Sequence, residues 1–261
     1  MSVSITSTPA KTPVPPIVFK EYDETARKRL IMSVEGLHGC GKTNFSLTAP
    51  GPVAVHNFDD GLEGVVEKFI DKKKIYPFHY RIPQSIALPG TPAGNSLSDS
   101  AKKIWEEFVL NFRASLPDMG TVVVDTGSES WELARLARLG KLTQVLPHQY
   151  TAVNAEFREL LRLGYRYGCN VILLHKLKKE YLNDKPTGNY EKSGFGDVDF
   201  IVQTTLRAYK DPKGEGLDRF RMKVSKCRPN PLLEETEFVG EQINFPFIAS
   251  AITGTESEEW K

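Results

Sequence analysis

Eight residues, Gly36-Leu37-His38-Gly39-Cys40-Gly41-Lys42-Thr43, carry the chain's clearest chemistry. The spacing G-x-x-x-x-G-K-[ST] is that of a loop whose backbone N–H groups converge on a phosphate chain. Glycines let the backbone approach an anion closely. A helix opening straight after the loop adds unpaired donors and the positive end of its dipole. In this pattern Lys42 reaches the β- and γ-phosphates, and the Thr43 hydroxyl sits on Mg²⁺. Gly36 through Asn44 is therefore the expected cradle for the phosphates of a nucleotide.

The surrounding elements fit that demand. An apolar run at residues 30–34 leads into the loop, and a helix is expected over residues 43–47. Further strands are read at residues 52–58, 121–125 and 169–175, each a short β-branched or apolar run. Helices are expected over residues 62–70, 98–116, 129–139 and 152–167. Ser98 is the candidate N-cap of the second of these, with Ile104, Trp105, Phe108, Val109 and Phe112 as its apolar face. Lys72, Lys73 and Lys74 read as a solvated helix end, and Arg135, Arg138 and Lys141 as a solvated surface row. Strands alternating with helices define an α/β fold, one open and mainly parallel central sheet flanked by helices. Residues 200–209 and 219–227 alternate apolar and polar around a Pro- and Gly-containing break, so they read as a C-terminal β-hairpin extension.

Ligands of such sheets sit at the carboxyl ends of the strands. There the sequence has the phosphate loop, then Asp59 and Asp60, then Asp125, then His175. Asp125 suits a second Mg²⁺ partner acting through water; its plainer role is an N-cap for the next helix. The residue after it is Thr126, not the glutamate that many P-loop ATPases use to activate water. The carboxylate for that task is expected to be Asp59, with Asp60 the alternative. His175 could sense the γ-phosphate or be a buried structural histidine. Lys226 and Arg228 lie two apart on a strand end and point the same way. They could stabilise charge on a neighbour's nucleotide as arginine fingers do, or be an ordinary basic strand end. Residues 176–196 read as a long polar loop with lysines and aromatics interleaved.

A net charge of +1 confines any nucleic-acid surface to a local patch. Three scattered cysteines favour a reducing compartment over a disulfide framework. No apolar run approaches the roughly 18 residues of a membrane span, so a soluble cytoplasmic protein is expected. Residues 1–17 read as a flexible arm and residues 253–261 as a disordered acidic tail, leaving 18–252 as one domain.

Together G-L-H-G-C-G-K-T, N-F-D-D-G-L-E-G, T-V-V-V-D-T, V-I-L-L-H-K and K-C-R resemble RecA-superfamily ATPases. The likeness is greatest to the compact phage-encoded versions linked to recombination and single-strand annealing. It implies a RecA-like P-loop core that assembles as rings or filaments with ATP and Mg²⁺ between subunits. The resemblance assigns the water-activating carboxylate to Asp59, the sensor to His175 and the trans-acting basic pair to Lys226 and Arg228. Sensors in recombinases are often amides, and the strand-two carboxylate often glutamate, so this chain departs at both. The loop after strand four contacts DNA in such proteins, which points to Lys176, Lys178, Lys179, Tyr181, Lys185, Tyr190 and Lys192. Implied partners are single-stranded DNA, further copies of the chain and a single-strand-binding protein, with no membrane. The expected activity is DNA-dependent ATP hydrolysis coupled to strand pairing or annealing. The alternative is a nucleotide-gated DNA-binding scaffold with little hydrolysis. A small-molecule kinase lacks its Arg-rich lid, and a GTPase its N-K-x-D motif.

Overall fold

The computed structural model describes residues 29–83, 97–140 and 146–261. The expected N-terminal arm, most of the loop before residue 97, and Lys141 lie outside the described residues. Three parallel strands form the centre: β1 (Ile31–Gly36), β2 (Val53–Asn57) and β4 (Thr121–Asp125), each buried throughout. Edge strand β3 (Ile75–His79) precedes β4 in the chain, and β5 (Asn170–Leu182) follows it. A hairpin arm, β6 (Lys185–Lys192), pairs with β5 alone. The last three strands are β7 (Thr204–Lys210), β8 (Phe220–Cys227) and β9 (Glu237–Val239). Spatial order is β3-β2-β4-β5-β1-β7-β8-β9. The first six in that order run parallel, whereas β7–β8 and β8–β9 pair antiparallel. All four strands expected to converge therefore end on one edge, and the C-terminal hairpin widens the sheet beyond β1.

Alternation along buried parallel strands sorts side chains onto two faces. One face packs Ile31, Val124 and Leu173 with α2 (Leu97–Ser115), α3 (Gly127–Leu139) and α4 (Tyr150–Leu163). The other packs Val34, Val123 and Leu174 with α1 (Lys42–Leu47) and α6 (Phe245–Thr253). The expected apolar stripe of α2 is core: Trp105, Phe108 and Phe112 are buried, and Ile104 and Val109 pack against them.

Several expectations need correction. Residues 62–70 form turns with a short 3-10 segment (Val66–Lys68), because Gly64 at φ 77° interrupts the apolar periodicity. Ser98 lies inside the first turn of α2, its hydroxyl donating to the Ala137 carbonyl at 3.3 Å. Lys73 is not simply solvated, since its amine donates to the Ala49 carbonyl. The stretch read as a strand from residue 200 begins with a helical turn, α5 (Val198–Ile201), and β7 starts only at Thr204. The long loop of residues 176–196 is mostly a β-hairpin, β5 running on to Leu182 and returning as β6. The acidic tail is also ordered: Ser257–Trp260 is a 3-10 turn, and buried Trp260 packs on Phe245 with ring centroids 5.9 Å apart. Phe245 in turn meets Phe45 of α1, so the C-terminal segment braces the helix that follows the glycine loop.

Candidate functional site: a phosphate loop and its cleft

β1 ends at Gly36, the loop follows, and α1 opens at Lys42. Gly39 and Gly41 adopt φ of 67° and 85°, backbone that a side chain strains and glycine accepts, which turns the loop's N–H groups inward. Lys42 Nζ donates to the Gly36 and Leu37 carbonyls at 2.8 Å each, tying the end of the loop to its start. Thr43 Oγ1 donates to Asp125 Oδ2 at 2.7 Å. Asp125, 2% exposed at the end of β4, has its carboxyl pushed up to about 6 by burial and by the charge of Asp59, against the Thr43 bond and Lys42. The two residues expected to share Mg²⁺ are thus already in contact. Burial lowers the pKa of Lys42, opposed by Cys40, Asp125 and Asp59.

A cleft of about 510 Å³ opens over the loop, bounded by His38 to Asn44, Asp59 and Asp125. A smaller cavity of about 240 Å³ adjoins it past Lys42 and Asp59, walled by Lys176 and Leu177. Asp59 borders both spaces; Asp60 borders neither and instead faces Arg81 on the surface. Of the two candidate water-activating carboxylates, Asp59 is the one with access to the cleft. Thr126 caps α3, its hydroxyl accepting from Glu129 N, so Asp125 itself is not the cap.

His175 is a correction. Asp125 pairs in register with Leu174, so Leu174 shares the aspartate's face and His175 points to the opposite one. Its ring is fully buried against Gly127, where an added Cβ would meet Cε1 at 2.8 Å. Neither ring nitrogen has a hydrogen bond; the Ser193 backbone is close but outside bonding geometry. Burial, with Lys192 nearby, drives the imidazole down to about 3. His175 borders neither cavity, and a direct bond to a γ-phosphate does not fit this arrangement.

Lys226 and Arg228 lie at the far edge. Cys227 pairs with Thr204, which pairs with Met32 at the start of β1, whereas the loop follows the strand's end. Lys226 donates to the Asp199 and Val202 carbonyls and Arg228 to the Phe200 carbonyl, capping the exit of α5. Neither can reach the nucleotide cleft of its own subunit. In the hairpin, three of the five lysines are engaged: Lys176 with Glu129 (2.8 Å), Lys178 with Glu191 (3.1 Å) and nearly buried Lys192 with Asp199 (2.6 Å). Lys179 and Lys185 have no acidic partner among the described residues, and Tyr181 and Tyr190 are exposed. The hairpin base is fixed to α3: Ser128 Oγ donates to the Ser193 carbonyl and accepts from Lys176 N.

Sequence reading missed the outer wall of the cleft. Val65 and Lys68 stand on one side, Leu217, Phe220 and Ile243 on the other. These come from three segments far apart in the chain, so only the folded sheet assembles them.

A strand, a glycine loop closed by Lys42 onto its own carbonyls, and a hydroxyl bonded to a buried aspartate define a P-loop nucleotide-binding core. Residues 28–195 match the AAA domain family, and the chain belongs to that family of P-loop ATPases. A search among curated proteins found no match. No helix among the described residues is long and apolar enough to cross a membrane.

Proposed function

We propose that this protein is a RecA-type, Mg²⁺-dependent ATPase that binds single-stranded DNA along the β5–β6 hairpin and promotes pairing or annealing. The observation that carries this reading is the continuity of β5. The strand borders the smaller cavity at Lys176 and Leu177, then runs without a break into a hairpin presenting Tyr181, Tyr190, Lys179 and Lys185. Aromatic faces beside unpaired cations suit a single strand, whose bases stack without regard to sequence. Lys179 and Tyr190 are cross-strand partners, so cation and ring stand side by side.

At the other end of β5, Lys42 would neutralise the triphosphate, and Asp59 would orient and polarise the attacking water. Thr43 and Asp125 fit Mg²⁺. Mg²⁺ keeps most of its water and needs only one or two protein oxygens. Bound there with the nucleotide, Mg²⁺ supplies charge neutralisation on the phosphate oxygens. Nucleotide state would reach the hairpin through Lys176 and the α3 N-terminus that anchors the hairpin base, rather than through His175. The use of Thr126 as a helix cap leaves no glutamate after Asp125 and favours slow turnover, which keeps the gated-scaffold reading as the rival.

Phosphate release should rise when single-stranded DNA is added, and a protein with neither binding nor stimulation would contradict the proposal. Tyr181→Ala combined with Tyr190→Ala should weaken oligonucleotide binding at least tenfold by fluorescence anisotropy, since each stacked base contributes about 1–3 kcal/mol. Unchanged binding would remove the hairpin from the DNA path. Nucleotide-dependent oligomers that release no phosphate would favour the scaffold.

Assembly with ATP between subunits gives Lys226 and Arg228 their role. Arg228→Ala subunits should bind ATP yet fail to hydrolyse it. Mixing them with Lys42→Ala subunits should restore part of the turnover, because an intact loop then meets an intact finger. Absence of any rescue or dominance pattern on mixing would end the trans assignment.

A further inference from the structure

We propose that Lys210 is a nucleotide-binding residue acting within its own subunit, gripping the α-phosphate and sugar end of the nucleotide. The inference rests on the cleft being the ATP site and adds a contact that no phosphate-loop pattern contains. β7 runs parallel to β1, with Ala208 level with Gly36, so Lys210 emerges two residues beyond the point where the loop begins. Its Nζ hangs over Gly39, 3.2 Å from where a Cβ would stand.

The side chain is steadied by its register partner on β8, Phe220. The ring centroid lies 5.7 Å from Lys210 Nζ, and Arg219 stands 5.5 Å from the same ring. Phe220 Cδ1 is 3.7 Å from the Cβ position of Gly41, so the ring covers the outer side of the loop. Such cation–ring contacts orient a lysine without neutralising it. Among the described residues neither Lys210 nor Arg219 has an acidic partner. The nearby Asp211 is taken by Arg221 at 3.1 Å. A steadied cation without an acidic partner among the described residues thus stands over an anion cradle.

The two ends of the site differ in chemistry, which fixes the part of the nucleotide that Lys210 meets. Lys42, Asp59 and Lys176 surround the smaller cavity and mark the γ-phosphate end. Leu217, Phe220 and Ile243 make an apolar wall suited to the base. Lys210 stands between Gly39 and Phe220, at the join of phosphate and sugar. That part is common to ATP and ADP.

Calorimetric titration of ADP and of ATP into the full chain tests this. Lys210→Ala should weaken both nucleotides by the same factor, about tenfold or more as for a lost charge-assisted bond, while Lys210→Arg stays within about threefold of the parent. Lys210 is exposed, with its amine over the Phe220 ring and beside Gly39, so the nucleotide-free variant should melt with the parent. Unchanged ADP affinity, or a loss confined to ATP, would overturn the assignment while leaving the ATP site intact. A parent protein that binds neither nucleotide, or binds both equally well after Lys42→Ala, would overturn the ATP site and this inference with it.

Discussion

Lys42→Ala is expected to cut ATP turnover by on the order of 10²–10³-fold or more while the fold stands. The ammonium is the cation inside the loop, and at rest its donors are occupied by the Gly36 and Leu37 carbonyls. Those bonds hold the loop in the shape a polyphosphate needs, and a triphosphate entering it would take over the same donors. Alanine removes both the tie and the charge. Asp59 and Asp125 would then face the phosphates with nothing inside the loop to offset them. Arginine does not substitute, because a planar fork cannot replace a compact point charge between two carbonyls. Steady-state phosphate release measures the effect, with a thermal melt as the control for folding. Turnover within tenfold of the parent would remove this loop from the chemistry.

The second large effect is on stability in acid. His56 and His175 are both sealed in the interior, and burial drives each down to about 3. His56 lies among Phe78, Tyr80, Phe108 and Phe112, with ring centroids 5.0 to 5.9 Å away. Its Nδ1 is 3.1 Å from the Tyr80 hydroxyl, which also accepts from Asn111 and, pushed up to about 12 by burial, keeps its proton. His175 faces Lys192 and Asp199, which form an ion pair at 2.6 Å. Unfolding returns both imidazoles to a pKa near 6.5, so between about 6.5 and 3 the unfolded chain binds more protons and stability falls with pH. Each could contribute about 4–5 kcal/mol across that window. Asp125 works in the opposite sense: raised to about 6 when folded, it takes up a proton between about 6 and 3.8 and returns about 3 kcal/mol. The two histidines prevail. Urea midpoints should therefore drop steeply between pH 6.5 and 4, and the double variant His56→Phe, His175→Leu should flatten the slope. Equal slopes in parent and variant would show that these rings do not govern acid unfolding.

The parts of this molecule legible in the sequence are those written locally. The phosphate loop is one such part, because its chemistry depends on glycine spacing over eight residues. Buried parallel strands are another, since β-branched runs at residues 121–125 and 169–175 have no competing periodicity. Helix α2 followed from its apolar stripe. The β5–β6 hairpin was not legible as strand, because its side chains are polar and its pairing is carried by backbone. One signal does mark it: Asn183 and Asp184 both take positive φ, 52° and 60°, as a two-residue hairpin turn requires. The role of His175 was misjudged for a different reason. A residue at a strand's end looks available to the ligand, yet which face it serves depends on register with the next strand, and that is set by the assembled sheet. The same holds for Lys210, Phe220 and Leu217, which reach the loop only because β7 lies beside β1.

The hairpin's construction bears on how such a protein can diversify. Among the described residues its two arms pair in the sheet only with each other, and Arg207 of β7 donates to the Tyr190 carbonyl at 3.2 Å near their root. Lengthening both arms by matched pairs of residues would extend the reach by about 6–7 Å per pair and keep every side chain on its original side. An odd insertion in one arm would turn the probe over. Reach can thus vary among descendants by even steps, with the engine at its root inherited unchanged.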